Sequence, residues 1–289
     1  MPRVPLPANR RPLSPRLGRP ALGKLLVAVL AAASAFGHGA FHDRLRELTA
    51  ALETTPRDAK VHFELAQIFC QHGDWLLALA SADTADELQS GAFPTDLLRG
   101  EAFLAREDPV KARAVLDRLI AARGPTPQAL VLRARARTLL EGPVPALDDY
   151  RAAIRQPNRP GVDQVREVAA ALVRLGHRAE AADLLDRAIV EAGPDPALLL
   201  DALDLELSTG RFSAALKRVD ALQAGAPRPE PWMARRAEVL AQSGDTAAAR
   251  AAWLALQRHL AALPTLERGS PALRTVAAQA QAALALPSP

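Results

Sequence analysis

The sequence contains little of what several classes of protein require. Its 289 residues include a single cysteine, Cys70, and aromatic residues make up only 4% of the chain. One cysteine cannot form an internal disulfide or a paired-cysteine metal or redox motif, and we expect Cys70 to be a small core residue. The low aromatic content and the abundance of alanine and leucine favour packed helices over a β-rich fold.

Motifs of known catalytic chemistry are also missing from the sequence. It has no glycine-rich phosphate loop, no H-E-x-x-H zinc motif and no nucleophile elbow. Each of these motifs places reactive groups at a fixed spacing, and nothing else in the sequence supplies an equivalent arrangement. We therefore expect neither enzymatic activity nor a bound cofactor.

The first 35 residues have the composition of an export signal. Residues 1–24 carry six basic side chains and no acidic one, and an apolar run from Leu25 to Phe36 follows. This order, with a small-residue site such as Ala33-Ser34-Ala35, is typical of a secretory signal. The apolar run is shorter than the roughly 20 residues that span a bilayer. We predict that residues 1–35 are cleaved and that the mature chain is periplasmic; the alternative is an inner-membrane anchor over residues 22–36.

The charge of the chain depends on this leader. The whole sequence has 36 basic and 32 acidic residues, a net charge of +4. Removal of the leader takes away six basic residues and leaves a net charge of −2. Because nucleic-acid binding requires a basic patch on the folded domain, we expect no nucleic-acid partner. No second long apolar segment follows, so we expect no membrane insertion of the mature chain.

Four of the six histidines lie early in the chain, at positions 38, 42, 62 and 72. Cleavage after Ala35 would make His38 the third residue, where an amine, two amides and an imidazole can bind Cu(II) or Ni(II) in a square plane. No methionine or cysteine partner stands nearby. We therefore interpret the segment as a polar tail, and a metal site that uses His38 and His42 is the alternative.

A pattern of two helices joined by a tight turn recurs along the rest of the chain. In residues 162–196, one apolar stripe at helical spacing ends at Gly176, and a second ends at Gly193-Pro194. Neither helix can bury its stripe alone, so such a unit needs copies on both sides. Six copies start 34 or 35 residues apart, at Ala59, Phe93, Pro127, Val162, Pro196 and Glu230.

Small residues recur at fixed places in this repeat. The twentieth place is alanine in all six copies, Ala181 in the fourth, and the fifteenth is glycine in four. The eighth place is small in five copies and leucine, Leu203, in the other. A larger side chain at a close helix crossing would push the helices apart. The third copy has Pro143 and Pro145 in its turn, so we expect its second helix to start late.

This pattern resembles the tetratricopeptide repeat (TPR) family. The clearest matching segments are Ala146-Leu-Asp-Asp-Tyr150-Arg-Ala-Ala153-Ile and Gly244-Asp-Thr-Ala-Ala-Ala249, and the resemblance extends from Ala59 to about Ala261. It implies an all-α, right-handed superhelix of six helix pairs. We expect capping helices at both ends, over Phe41–Glu53 and after Ser270-Pro271. The expected organisation is a leader at 1–35, a tail and capping helix at 36–58, six repeats at 59–262, and a loop with the closing helix at 263–289.

The resemblance also implies a groove lined by the first helix of each repeat, at its second, fifth, ninth, twelfth and thirteenth places. The asparagines that hold a peptide carboxylate in some members are absent, because Asn9 and Asn158 are the only ones in the chain. A groove that mixes apolar and charged residues suits an extended peptide or a partner helix. The candidate partner-binding residues are Phe63, Gln67, Leu97, Glu101, Val131, Arg135, Arg166, Arg174, Leu200, Asp204, Ala234 and Glu238.

Two carboxylates in the fifth repeat require a separate interpretation. Asp201 and Asp204 lie on one side of a predicted helix, but paired carboxylates do acid–base chemistry only beside a nucleophile or a metal. Arg166 and Arg174 lie on the corresponding helix of the fourth repeat, which favours an ion-pair network or a polar groove wall. We therefore expect a non-enzymatic scaffold that binds a protein or peptide in the bacterial envelope; the alternative is a periplasmic metal-handling protein.

The export hypothesis predicts a mature chain that lacks Met1. Mass spectrometry of the N-terminus of the protein from an envelope fraction should show that it begins near residue 36, because the small residues at 33–35 form the cleavage site. An intact Met1 in that fraction would contradict the prediction and favour the anchor.

Overall fold

The computed structural model of the chain describes residues 40–285, which fold into helices and loops without a strand. The predicted leader and His38 lie outside these residues. The all-α class and the series of helix pairs are confirmed. The helices are α1 (Ala40–Thr54), α2 (Ala59–His72), α3 (Trp75–Leu88), α4 (Thr95–Ala105), α5 (Pro109–Arg123), α6 (Pro127–Glu141), α7 (Pro143–Ile154), α8 (Val162–Arg174), α9 (Arg178–Ala192), α10 (Pro196–Ser208), α11 (Phe212–Gly225), α12 (Glu230–Gln242), α13 (Thr246–Ala262), α14 (Thr265–Arg268) and α15 (Pro271–Ala285).

The chain divides between residues 119 and 120, within α5, into two compact units. The N-terminal unit contains α1 to α4 and most of α5, and the C-terminal unit contains α6 to α15. Five of the six first helices begin at the residue where the sequence pattern starts. The exception is α4, which begins at Thr95 rather than Phe93. Pro94 explains this shift, because a residue that precedes proline is disfavoured in the helical conformation.

The second helix of the third repeat does not start late. Gly142, with φ of 92°, ends α6 and immediately precedes α7, which begins at Pro143. Pro143 and Pro145 both fall in the first helical turn, where backbone N–H groups have no intrahelical acceptor and proline costs little. The expected late start is therefore wrong: the prolines are accommodated inside the helix.

The fifteenth place of the repeat lies in the turn between paired helices. Gly73, Gly176, Gly210 and Gly244 occupy it with φ between 70° and 85°, the left-handed conformation in which glycine has no steric penalty. In the second repeat Glu107 adopts the same conformation, with φ of 58°, and is the only non-glycine residue with positive φ in the described chain. The second repeat thus keeps the turn geometry without glycine, whereas in the third Glu141 ends α6 and the positive φ moves to Gly142.

The N-terminal unit packs α1 against the first repeat. Leu45 and Leu48 of α1 are buried with Leu65 and Phe69 of α2, so α1 covers the first repeat as a cap. The next close crossing, between α4 and α5, uses the eighth place. A Cβ atom added to Gly100 would lie 2.8 Å from the side chain of Leu116, which would have to shift to admit an alanine.

The C-terminal unit contains the other four repeats and the closing helix. Each helix from α6 to α12 packs on the next one, and α6 and α8 also contact the following first helix, α8 and α10. Helix α15 packs on both helices of the sixth repeat, and the Ser270 hydroxyl accepts a hydrogen bond from the Leu273 amide at its start. The loop before it contains the short helix α14, which the sequence did not predict.

The alanine at the twentieth place lies in the core of every repeat. The six side chains are between 0% and 5% exposed, at Ala78, Ala112, Ala146, Ala181, Ala215 and Ala249. Close crossings of this kind tolerate little extra volume.

Replacement of Ala181 by leucine should therefore destabilise the fold. Three additional carbon atoms at a fully buried crossing are expected to cost roughly 1–3 kcal/mol, which chemical denaturation of the full chain would measure. Ala179→Leu is the matched control, because Ala179 is exposed on the same helix. Equal stability of the two variants would contradict close packing at the twentieth place.

Candidate functional site

A cavity of about 600 Å³ opens between the first helices of the fourth and fifth repeats, within the C-terminal unit. Helices α8 and α10 supply its walls, and Leu185 of α9 contributes to its floor. All five places that the family resemblance assigns to a groove line it in the fourth repeat, and two of them do so in the fifth. The lining residues are Asp163, Arg166, Glu167, Ala169, Ala170, Val173, Arg174, Leu185, Asp201, Asp204, Leu205 and Ser208.

Ion pairs connect successive first helices across this region. The Arg166 guanidinium donates to Asp201 through Nε at 2.6 Å and Nη2 at 3.2 Å, and the Asp201 carboxylate raises the pKa of Arg166. One repeat earlier, Nε of Arg135 donates to Oε1 of Glu167 at 2.7 Å. These two-point contacts fix the register between neighbouring helices. Of the four residues for which an ion-pair network was expected, Arg166 and Asp201 form a pair.

Tyr150 extends this network from the second helix of the third repeat. Its hydroxyl donates to Oε1 of Glu167 at 3.2 Å. Burial of the ring, with the negative charge of Glu167, raises the pKa of Tyr150 to about 12. Glu167 therefore binds both Arg135 and Tyr150, and its carboxylate is largely committed to holding repeats three and four together.

Three charged side chains in the cavity have no such partner, those of Asp163, Arg174 and Asp204. Among residues 40–285, no hydrogen bond or ion pair involves the side chain of Arg174 or of Asp204, and both are exposed. Arg174 lies in the last turn of α8, where a cation is favoured by the helix dipole. Asp204 lies in the middle of α10 and has no comparable structural explanation.

The structure distributes the predicted groove residues of the C-terminal unit among three environments. Arg166, Arg174 and Asp204 line the cavity. Arg135 pairs with Glu167, Glu238 pairs with Arg235 on its own helix, and Leu200 is 41% exposed outside the cavity lining. Val131 and Ala234 are only 2% and 3% exposed. These last two belong to the core rather than to a binding surface, because the neighbouring helices enclose them.

The predicted residues of the N-terminal unit lie on α2 and α4. The Phe63 ring stacks on Phe93 with centroids 4.9 Å apart, so part of its surface is already covered. Leu97 and Glu101 are half-buried, and Gln67 is exposed. They remain predicted groove residues.

Sequence reasoning did not single out several residues of the cavity. Asp163, Ala170, Val173 and Ser208 occupy family groove places, so their positions in the repeat were a sufficient signal. Glu167 occupies the sixth place, outside that set. Its signal was the opposite charge of Arg135 one repeat earlier, but many such pairs exist in an arginine-rich chain.

The other reactive groups do not suggest catalysis. Cys70 is 4% exposed, and burial raises the pKa of its thiol to about 12, so it is protonated at neutral pH and a poor nucleophile. Asp201, one of the two paired carboxylates, is held by Arg166. His42 lies beside His72, but Phe41 stacks on the His72 ring at 3.9 Å. Within residues 40–285 no three acidic, histidine or cysteine side chains are placed to hold a metal, and no helix has the length and apolarity to cross a membrane.

The raised pKa of Tyr150 provides a test of its contact with Glu167. It is the only tyrosine in the chain, so the ultraviolet absorbance of tyrosinate reports on it alone. We expect a titration midpoint near 12 in the folded protein, against about 10 for an unfolded tyrosine. Because the neutral form is favoured on folding, this contribution to stability is present below about pH 10 and is lost as the pH rises toward 12.

Glu167→Gln should lower that midpoint, because it removes the negative charge beside the hydroxyl. Glu267→Gln, on α14, is the control and should leave it unchanged. Circular dichroism at each pH would verify that the protein is folded. A Tyr150 midpoint that does not respond to Glu167→Gln would contradict the contact.

Comparison with known proteins identifies the fold. No family model and no curated protein matches the sequence, but solved structures do. PilW, described as a widely conserved type IV pilus biogenesis factor, aligns with a TM-score of 0.51 at 15% identity, over 75% of this chain and 97% of its own. PilF of Pseudomonas aeruginosa gives 0.54 at 14% identity, over 76% and 97%.

A third similar structure belongs to a protein that is described as containing TPR repeats. It is the C-terminal part of a TPR repeat-containing protein from Cytophaga hutchinsonii, with a TM-score of 0.54 at 13% identity, over 77% of this chain and 93% of its own. At such identities the likeness concerns the fold. Together with the six sequence repeats and the observed helix pairs, it shows that the chain has the tetratricopeptide-repeat fold.

Proposed function

We propose that this protein is a non-enzymatic scaffold that binds a segment of a partner protein in the cavity between α8 and α10. The observation that supports this most directly is the position of the groove places. Five places in one repeat and two in the next, separated in sequence, line a single opening of about 600 Å³. This volume is within the range of pockets that hold a few side chains.

The composition of the cavity suits a peptide better than a reaction. Its base is apolar, with Ala169, Leu185 and Leu205 buried beneath the opening. Its charged residues stand on the walls, where Arg166 is already paired with Asp201. An apolar base with charged walls provides burial for a side chain and orientation for its neighbours.

The proposed location is the bacterial envelope, with the mature chain in the periplasm after removal of residues 1–35. The support is the basic and apolar order of the leader. The same fold occurs in a type IV pilus biogenesis factor, which is consistent with this location. The proposed partner is therefore another envelope protein.

A variant that fills the cavity with a large uncharged side chain tests whether the cavity binds a partner. Ala170 is exposed and lines the opening, so Ala170→Trp should block an occupant while leaving the core intact. Ala179→Trp, at an exposed position of α9 outside the lining, is the control. We expect both variants to melt like the wild-type chain, since surface changes usually alter stability by less than about 0.5 kcal/mol.

The measurement is quantitative capture of envelope proteins by the full chain and by each variant. At least one protein captured by the wild type and by Ala179→Trp should be lost, by tenfold or more, with Ala170→Trp. An identical set of captured proteins for all three folded chains would contradict a binding role for this cavity.

A further inference from the structure

The charges around the cavity are unequal. Four carboxylates line it and only two guanidinium groups do. The acidic residues are Asp163, Glu167, Asp201 and Asp204, and the basic ones are Arg166 and Arg174. The wall therefore has an excess of negative charge, which favours a ligand that brings a cation.

Most of these charges already have a role within the fold. Arg166 and Asp201 form one pair, and Glu167 accepts hydrogen bonds from Arg135 and Tyr150. Asp163 lies in the first turn of α8, where the helix dipole stabilises an acid, and its charge acts on Arg166. Asp163 and Asp204 are the two carboxylates without a hydrogen bond or ion pair, and Asp204 is the one whose position in the middle of α10 gives it no role with a helix dipole.

The register of the repeats strengthens this assignment. Arg135, at the ninth place of the third repeat, reaches Glu167 at the sixth place of the fourth. The equivalent partner of Asp204, at the ninth place of the fifth repeat, is Arg235 at the sixth place of the sixth. Arg235 instead donates to Glu238 on its own helix at 3.0 Å. Arg235 therefore does not neutralise the Asp204 carboxylate, which lines the cavity.

An apolar surface lies beside this carboxylate. Val173 of α8 and Leu205 of α10 both line the cavity, and Leu205 follows Asp204 directly. A lysine or arginine places an aliphatic stem on apolar surface while its charged end reaches a polar group. The adjacent apolar floor and unpaired carboxylate match the two parts of such a side chain.

We propose that the cavity binds a peptide segment of the partner in which a lysine or arginine is flanked by aliphatic residues, with its cationic group held by Asp204. This inference rests on the proposed function and specifies its ligand. It predicts binding that weakens as salt increases, because the cation and the carboxylate meet at an exposed site.

A random library of 12-residue peptides displayed on phage is the probe, selected against the purified full chain. The selected peptides should share a lysine or arginine between aliphatic residues. Synthetic copies, labelled for fluorescence anisotropy, should lose at least tenfold in affinity when that basic residue is replaced by norleucine, and more when it is replaced by glutamate.

Matched variants of the chain locate the contact. Asp204→Lys should weaken binding of the basic peptides by tenfold or more, whereas Asp183→Lys should not. Asp183 is exposed on α9, outside the cavity lining. Asp204 is also exposed, so the variant is expected to fold, and circular dichroism would verify this.

Two other results would separate the failure of this inference from the failure of the proposed function. Selection of acidic or uncharged peptides that Ala170→Trp displaces would overturn the assignment of a basic ligand and leave the binding site in place. Selection of no peptide that Ala170→Trp displaces would overturn both.

Discussion

The close approach of paired helices at one alanine per repeat is the constraint on which the rest of the structure depends. Because Ala146, Ala181 and Ala215 add only a methyl group each, the second helices can lie near the first, and the larger apolar residues around them become buried. On the first helix, the small residues at the eighth place likewise allow the two helices to lie close together. Its one large occupant, Leu203, is fully buried as well, which shows that neighbouring packing can compensate.

Once the helices are close, ion pairs fix the register between successive first helices. Arg135 pairs with Glu167 and Arg166 pairs with Asp201, each across one repeat. Exposed pairs of this kind contribute only about 0–1 kcal/mol each, so their importance lies in alignment more than in stability. They also neutralise two arginines that would otherwise make the first helices attractive to anions.

The fold could be predicted from sequence because each repeat carries several independent signals. Helical periodicity, the alanine at the twentieth place and the glycine in the turn all indicate the same frame, and five of the six first helices begin where it predicts. The predicted helix start was wrong where the local sequence was compatible with two conformations. The sequence Gly142-Pro143-Val144-Pro145 was compatible with a late helix or with prolines in its first turn, and only packing distinguishes them.

The candidate site was less predictable because exposure depends on neighbours that the repeat frame does not specify. The fifth place is buried at Val131, lines the cavity at Arg166 and is exposed at Leu200. Its chemistry in each repeat follows from the size and charge of the side chains opposite. A family groove place therefore identifies which helix face is available, but not which residue remains free to bind.

The cavity is lined by a small side chain at one such place, Ala170. The ninth place holds Arg135 in the third repeat and Asp204 in the fifth, but Ala170 in the fourth. In the register of the Arg135–Glu167 pair, Ala170 would face Asp201, which its methyl group cannot reach, and Asp201 is held by Arg166 instead. The opening thus lies where the ion pair between the ninth and sixth places is absent, and under the proposed function the residues that line it determine the chemistry of the ligand.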